Sequence, residues 1–412
     1  MSPHDPLRLF EGYGVELEYM LVRPEDLTVA PISDLVLQGI AGETVCEVEV
    51  DTISWSNELV MHLVELKNTH PSSTLADLGP LFGEHVRRMN RFLEPMNAQL
   101  MPSGTHPFMD PRQEARLWPH EGSEVYRAFD RVFDCRRHGW ANLQSVQLNL
   151  SFGDDEEFGR LHAAIRLLLP VMAGLAASTP VLEGELTGLL DTRLEVYRTN
   201  SEAIPTLAGR IVPEPVFARR EYEKQIFEPM YRDIESHDPD GTLRHPWLNA
   251  RGAIAQFPRD AIEIRVLDMQ ECPQADIAVC CAVTAAVKAI VAERWSDYAD
   301  QQSWEVDPLV EIFRATICDA ERTVLRDRRY LESFGFPDKS TTVQELWIHL
   351  VEELSGTFSG LDAEHLRIIL ERGPLARRML QALGARPHRR DIEEVFRALC
   401  RCLETGDSFT EP

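Results

Sequence analysis

Two short stretches carry polar side chains at every second position of an otherwise apolar run: Gly14-Val15-Glu16-Leu17-Glu18-Tyr19 and Ala261-Ile262-Glu263-Ile264-Arg265-Val266. On an extended strand, residues two apart project from the same face. Glu16 and Glu18 therefore share a face, as do Glu263 and Arg265, while Val15, Leu17, Ile262, Ile264 and Val266 suit a buried opposite face. Gln147, Asn149 and Ser151 repeat the pattern within Ser145–Phe152. Glu65 lies in the apolar run Leu63-Val64-Glu65-Leu66, with Glu58 upstream. Their odd separation would put Glu58 and Glu65 on opposite faces of one strand, so they converge only if Glu58 lies in a preceding loop or bend. If the stripes face one cavity, five carboxylates and an arginine meet there. Such a cluster repels itself, by an amount on the order of several kcal/mol. Two or three hard divalent cations, held against phosphate oxygens, would relieve it. A lone E-x-E strand is more often a solvated sheet face, and Glu47 and Glu49 show that pattern with nothing to mark them as ligands. The conjunction of stripes is what points to a metal site.

The elements that must position these residues follow from periodicity. Residues 13–23, 44–51, 59–67, 100–104 and 145–152 read as strands. Residues 247–257 and 261–268 read as a hairpin through the Pro258-Arg259-Asp260 turn. Residues 24–42 read as irregular. Helical spacing predicts helices over 73–97 (with Ser73 as cap), 156–178, 219–236 and 275–295, and a helical, charged region from 308 onward. Residues 180–215, rich in glycine and proline, read as a functional loop. Several strand pairs leave no room for a crossover helix. The expected fold class is therefore α+β, a mainly antiparallel sheet with a concave polar face and helices packed on the other side. Residues 1–300 are expected to form the catalytic domain and 301–412 a C-terminal helical subdomain. That last part could cover the active site, mediate a homodimer or complete the core.

Composition narrows the classes. The 412 residues are 44% hydrophobic, enough for a large core. A net charge of −25 makes nucleic acid and anionic membrane poor partners. The N-terminus has no signal-type run, and the greasy stretch Leu167–Ala177 contains Pro170 and is too short to span a bilayer. The eight cysteines form no C-x-x-C pair, which suggests reduced thiols, a cytoplasmic location and no zinc site.

Taken in order, Gly-Val-Glu-Leu-Glu-Tyr (14–19), Glu58 with Val-Glu-Leu (64–66), Gly-Thr-His-Pro-Phe (104–108), Gln-Leu-Asn-Leu-Ser (147–151), Thr-Gly-Leu-Leu-Asp-Thr-Arg (187–193) and Ile-Glu-Ile-Arg-Val-Leu-Asp (262–268) resemble the type 2 glutamate–cysteine ligase family. The resemblance runs from about residue 10 to residue 295. It implies a fold like the catalytic domain of glutamine synthetase. It also implies a carboxylate–amine ligase, in which ATP phosphorylates the carboxylate of glutamate and an amine, by default that of cysteine, displaces phosphate. The resemblance places one Mg2+ on Glu18, Glu58 and Glu65 and a second on Glu16, Glu263 and the residue at 147. Arg265 and Arg251 would contact the transferred phosphate, with Asn149 on the nucleotide side. Arg193 would meet a substrate carboxylate. His106 either lines the pocket or stabilises its turn. The sequence departs from the family at Gln147, where a histidine is usual, and after Arg193, which leaves the amine-binding side undefined. The rival readings are the same chemistry with another amine, a non-catalytic homologue that binds nucleotide or amino acid, and a phosphotransferase that stops at a phosphorylated small molecule.

Overall fold

The computed structural model of the protein describes residues 7–358 and 360–410. Its centre is an eight-stranded sheet of β1 (Tyr13–Val22), β2 (Glu47–Val50), β3 (Ile53–Asn57), β4 (Leu63–Asn68), β5 (Gln99–Met101), β6 (Ser145–Ser151), β7 (Ala253–Gln256) and β8 (Ala261–Asp268). The spatial order is β2-β3-β4-β1-β6-β8-β7, with β5 pairing the far end of β1, and each of these pairings is antiparallel. This is the expected α+β class.

Alternation sets the two faces. Val15, Leu17, Tyr19 and Leu21 of β1, Val146, Leu148 and Leu150 of β6, and Ile262, Ile264 and Val266 of β8 are buried in one core. That core is shared with α1 (Leu78–Leu93), α2 (Asp155–Leu168) and α3 (Pro273–Val291). Helix α3 is long and apolar enough to cross a bilayer, but 83% of its apolar window lies inside the protein, so it is the core helix behind the sheet.

The opposite face of β1 changes character along its length. It carries Glu16 and Glu18, then Met20 and Val22, which are fully buried in a second apolar cluster. That cluster includes Leu375 and Met379 of α4 (Leu375–Leu383), and Ile392, Phe396 and Leu399 of α5 (Arg389–Thr405). The C-terminal helices thus cover the apolar end of the face that carries the acids. Other residues beyond 300, among them Trp304, Phe313, Trp347 and Leu403, lie in the main core with the strands.

Several elements differ from the sequence reading for local reasons. The helix expected over 73–97 begins at Leu78 and passes into a 3-10 turn at Glu94–Met96, and Ser73 does not cap it. The helix expected over 156–178 is capped by Asp154, whose carboxylate accepts the Glu157 amide at 3.0 Å, and breaks at Pro170. Residues 24–42 contain a helix, Ser33–Ala41, closed by Gly42 at φ 82°. The strand expected at 59–67 begins only at Leu63, as β4, and the unexpected strand β3 precedes it, with Glu58 in the connection between them. The expected loop 180–215 contains a two-strand hairpin and the helix Thr192–Tyr197, capped by Asp191 onto the Leu194 amide at 2.8 Å.

Candidate active site

The strand register turns the alternating stripes into a lattice. Glu65 of β4 is paired with Glu18 of β1 on one side and Ser56 of β3 on the other. One row further, Lys67 is paired with Glu16, and Glu16 with Gln147 of β6. In the next row Asn149 is paired with Glu263 of β8. Between Ile264 and Leu267 the β8–β6 pairing shifts by one residue, a bulge that contains Arg265. Glu58 lies in the bend between β3 and β4, the placement that lets it join Glu65. A cavity of about 390 Å3 opens over this lattice. Glu16, Glu18, Glu58, Glu65, Gln147, Arg193, Glu263 and Arg265 all line it, so eight of the eleven residues singled out from the sequence meet in one place.

The acids are held in an electrostatically unbalanced state. Glu18, 8% exposed, accepts the Ser145 amide at 2.7 Å and the Gln147 amide nitrogen at 2.9 Å. Burial and the neighbouring Glu65 still push its carboxyl up to about 7. Burial, then Glu65 and Glu263, push Glu16 well above the usual range. Burial, then Glu18 and Glu65, do the same to Glu58. Glu65 is also penalised by burial, but it is held below its ordinary value by Lys67, whose ammonium donates at 2.8 Å, and by Ser56 at 2.7 Å. Glu65 is among the acids that push the Glu16 carboxyl up. Glu263 is tied to Gln256 at 2.9 Å and to the Arg265 guanidinium at 2.5 Å.

These donors are the hard oxygens that Mg2+ prefers, and acids that raise one another's pKa stand where a cation would relieve them. Among the described residues, no three His, Cys, Asp or Glu side chains already stand as a closed metal-ligand set. Charge and donor type fit the ion, and ligation would need the carboxylates to turn away from their present partners. Gln147 and Asn149 use their amide N–H groups on Glu18 and Glu16, at 2.9 and 3.2 Å. Each leaves a side-chain oxygen as its remaining polar atom.

Arg193 is held at the rim by Asp268, the last residue of β8. Its Nε donates to Asp268, its Nη2 to the Arg265 carbonyl at 3.1 Å, and the side chain is 2% exposed. Asp268 also accepts from the Ser178 amide at 2.9 Å and the Thr179 hydroxyl at 3.0 Å. Gly104 of the Gly-Thr-His-Pro-Phe motif packs on this hub, and a Cβ there would fall 2.9 Å from Asp268 Cγ.

Three of the residues expected at the site lie elsewhere. Arg251 does not line the cavity. Its Nε and Nη2 make a bidentate pair with Glu214 at 2.5 and 2.7 Å, and its Nη1 reaches the Thr206 and Leu207 carbonyls and Asn249 Oδ1 at 3.2, 3.3 and 3.0 Å. With its donors committed to the protein, it pins the loop around 206–214, and the expected phosphate contact is corrected to that role. His106 is likewise a turn residue. Its Nε2 bonds the Leu27 carbonyl at 2.5 Å, while Nδ1 accepts the Phe108 and Met109 amides at 3.0 and 2.9 Å. Burial lowers its pKa to about 4, so it is neutral. Asn149 lines a second cavity of about 390 Å3, bordered by Gly14, Lys67 and Ser151, which shares Glu16 and Arg259 with the first.

Residues not singled out from the sequence complete the site. Lys67 could have been found, because it repeats the Glu65 alternation one step on. Arg259, at the tip of the β7–β8 turn, is exposed, makes no hydrogen bond or ion pair among the described residues, and borders both cavities. Tyr126, Phe129, Trp140, Tyr197 and Trp247 form an aromatic wall, brought together from segments with no common periodicity.

A family model described as glutamate–cysteine ligase family 2 matches residues 13–335. A protein of uncharacterized function from Archaeoglobus fulgidus is 29% identical over 399 residues, covering 96% of this chain and 99% of its own. A protein of Ectopseudomonas mendocina named "putative glutamate–cysteine ligase 2" is 25% identical over 306 residues, covering 73% of this chain and 71% of its own. Among solved structures, a glutamate–cysteine ligase of Francisella tularensis in complex with AMP aligns with a TM-score of 0.62 at 10% identity, covering 98% of this chain and 90% of that one. A bifunctional glutathione synthetase of Pasteurella multocida aligns at 0.57 and 11% identity, covering 95% of this chain and 52% of that one. The two structural likenesses show a shared fold.

Proposed function

The chain belongs to glutamate–cysteine ligase family 2, and from that membership and the carboxylate lattice we propose that it is an ATP- and Mg2+-dependent carboxylate–amine ligase. It would join the carboxylate of glutamate, or of a related acid, to an amine through an acyl phosphate. The observation that carries this reading is one cavity in which buried acids raise one another's pKa beneath Arg265 and Arg193. A surface meant only to be solvated has no need of such a cluster. The names of the Ectopseudomonas and Francisella proteins support the same chemistry.

Glu18, Glu58 and Glu65 would hold one Mg2+, and Glu16, Glu263 and the Gln147 oxygen the second. Bound there, the ions supply positive charge to the phosphate oxygens and to the acids around them. Arg265, aimed by the bulge and braced by Glu263, meets the transferred phosphoryl group, where negative charge accumulates. Arg193, fixed by Asp268, presents its remaining N–H groups to the substrate's other carboxylate, which suits a planar donor. The second cavity, with Asn149, Lys67 and Arg259 along its border, takes the nucleotide side. Because the phosphate chain must pass between the cavities, Arg259 at their junction would contact it. Little covalent chemistry is asked of the protein: positioning and charge do most of it.

The test is release of ADP and phosphate from ATP, Mg2+ and glutamate, with each of the twenty amino acids and several simple amines added in turn. Amine-dependent release with a product of matching mass is expected. Release without any amine would instead show a phosphotransferase, and ATP binding without release would show a binding protein.

A further inference from the structure

We propose that the amine acceptor is an apolar, ring-bearing amine without a carboxylate, such as an arylalkylamine. The inference rests on the ligase reading and concerns the half of the cavity that the family resemblance leaves undefined. In the same cavity as the acids, Tyr126, Phe129, Trp140, Tyr197 and Trp247 line the wall, and each is half-buried, with part of its surface open. The wall is braced from behind. Phe129 packs on Trp140 and Trp247 with ring centroids 5.3 and 5.6 Å away, Phe133 stacks on Trp140 at 5.3 Å, and His245 stacks on Trp247 at 5.4 Å. Fixed rings with open surface suit an aromatic or aliphatic group, for which they lose little conformational freedom on binding.

Charge gives the second half of the argument. Among the described residues, the cations that line this cavity are Arg193, Arg259 and Arg265. Arg193 is bound to Asp268 and assigned to the acid, Arg265 to Glu263 and the phosphoryl group, and Arg259 stands at the junction with the second cavity. None belongs to the aromatic wall. Arg112, Arg136 and Arg137 line an adjoining cavity that shares Gly139, Trp140 and Asn200 with this one, and the Gly139 carbonyl between them is bonded by Asn200. An amino-acid acceptor seated on the wall would bring its carboxylate into the cavity that holds the five acids, where Arg193 and Arg265 are already tied to carboxylates, which is costly. A simple amine brings no such group, and its ammonium form is drawn toward the acids. In the transfer step the neutral nitrogen attacks the acyl carbon. The C–N bond forms, the bond from carbon to the phosphate oxygen breaks, phosphate leaves with that electron pair, and the nitrogen's proton passes to solvent at the cavity mouth.

The experiment uses the full chain with ATP, Mg2+ and glutamate, and hydroxylamine, cysteine, 2-phenylethylamine or tyramine as nucleophile. Hydroxylamine is small enough to report the acyl phosphate whatever the acceptor. The expected result is a hydroxamate with hydroxylamine, and kcat/KM for the arylalkylamines about 10-fold or more above that for cysteine. Trp247→Ala should raise KM for 2-phenylethylamine at least about 10-fold more than it raises KM for hydroxylamine, and Trp247→Phe should restore most of the loss. Amide formation with cysteine at a kcat/KM equal to or above that of the arylalkylamines overturns the proposal. So does a Trp247→Ala effect that is the same for both nucleophiles. Absence of hydroxamate overturns the ligase reading itself, and the acceptor proposal with it.

Discussion

Two buried acid clusters in this protein solve the same electrostatic problem in opposite ways. Just after β8, Glu271 is fully enclosed, yet Arg378 of α4 meets both of its carboxylate oxygens at 2.5 and 3.2 Å and the Phe409 amide donates to it at 3.1 Å. Burial raises its pKa, but Arg378 overrides this and holds the carboxyl below its ordinary value. In the cavity, Glu16, Glu18 and Glu58 face other acids, and their carboxyls are pushed up. The residue type is the same, but Glu271 is sealed in and paired, whereas Glu16, Glu18 and Glu58 line a cavity and face one another. The first cluster is closed and ties the C-terminal segment to the core. The second is left short of positive charge, and a site short of positive charge is one built to receive it.

The largest effect should come from opening the closed cluster. Arg378→Met would strand Glu271 as an unpaired buried charge. It should destabilise the protein by about 3–5 kcal/mol, read by denaturant unfolding, with part of the loss recovered on adding Glu271→Gln. Next in size, Glu263→Gln removes an acid that both braces Arg265 and is assigned to a cation. Ligase activity should fall by ~10²-fold or more, with folding stability little changed. Unchanged activity would mean that the cavity is not the reaction site. Arg193→Lys replaces a fork by a point charge and should raise the apparent KM for the acid about 10-fold, while KM for ATP holds.

The two clusters should also respond to pH with opposite signs. Glu18 has its folded pKa raised from 4.5 to about 7. Below pH 4.5 it is protonated folded or unfolded. Between about 4.5 and 7 the unfolded chain releases a proton that the folded one keeps, so in chelator this group makes stability fall as pH rises. Glu271, with its pKa lowered, contributes stability above its unfolded pKa and loses it as pH falls. Melting curves of Glu18→Gln and Glu271→Gln against wild type across this range check both signs. The smallest effect belongs to Glu58→Gln without metal. Removing an acid from a self-repelling group should leave the melting temperature unchanged or raise it by the equivalent of about 1 kcal/mol, as read by calorimetry.

The acids were legible in the sequence because a strand's period of two is a local signal, and four separate strands carried it in register with apolar neighbours. The fold class followed from the same pattern together with the short connections. What was not legible depends on contacts far apart in the chain. Arg251 looked like a phosphate ligand and is a loop anchor because Glu214, from another loop, faces it. His106 became a turn residue through the Leu27 carbonyl. The aromatic wall draws on a helix near residue 129, a short helix at 140 and a turn at 247, and no spacing relates them. The bulge that contains Arg265 shows only in the register with β6.

The most direct measurement counts cations on the two clusters. Mn2+, as a paramagnetic stand-in for Mg2+, can be titrated into wild type, Glu58→Gln and Glu271→Gln at pH 7.5 and followed by electron paramagnetic resonance. The carboxylate lattice predicts binding in the wild type that weakens about 10-fold or more in Glu58→Gln and persists in Glu271→Gln. Equal Mn2+ affinity in wild type and Glu58→Gln, or no binding at millimolar Mn2+ even with ATP present, would contradict the claim that these acids await a cation.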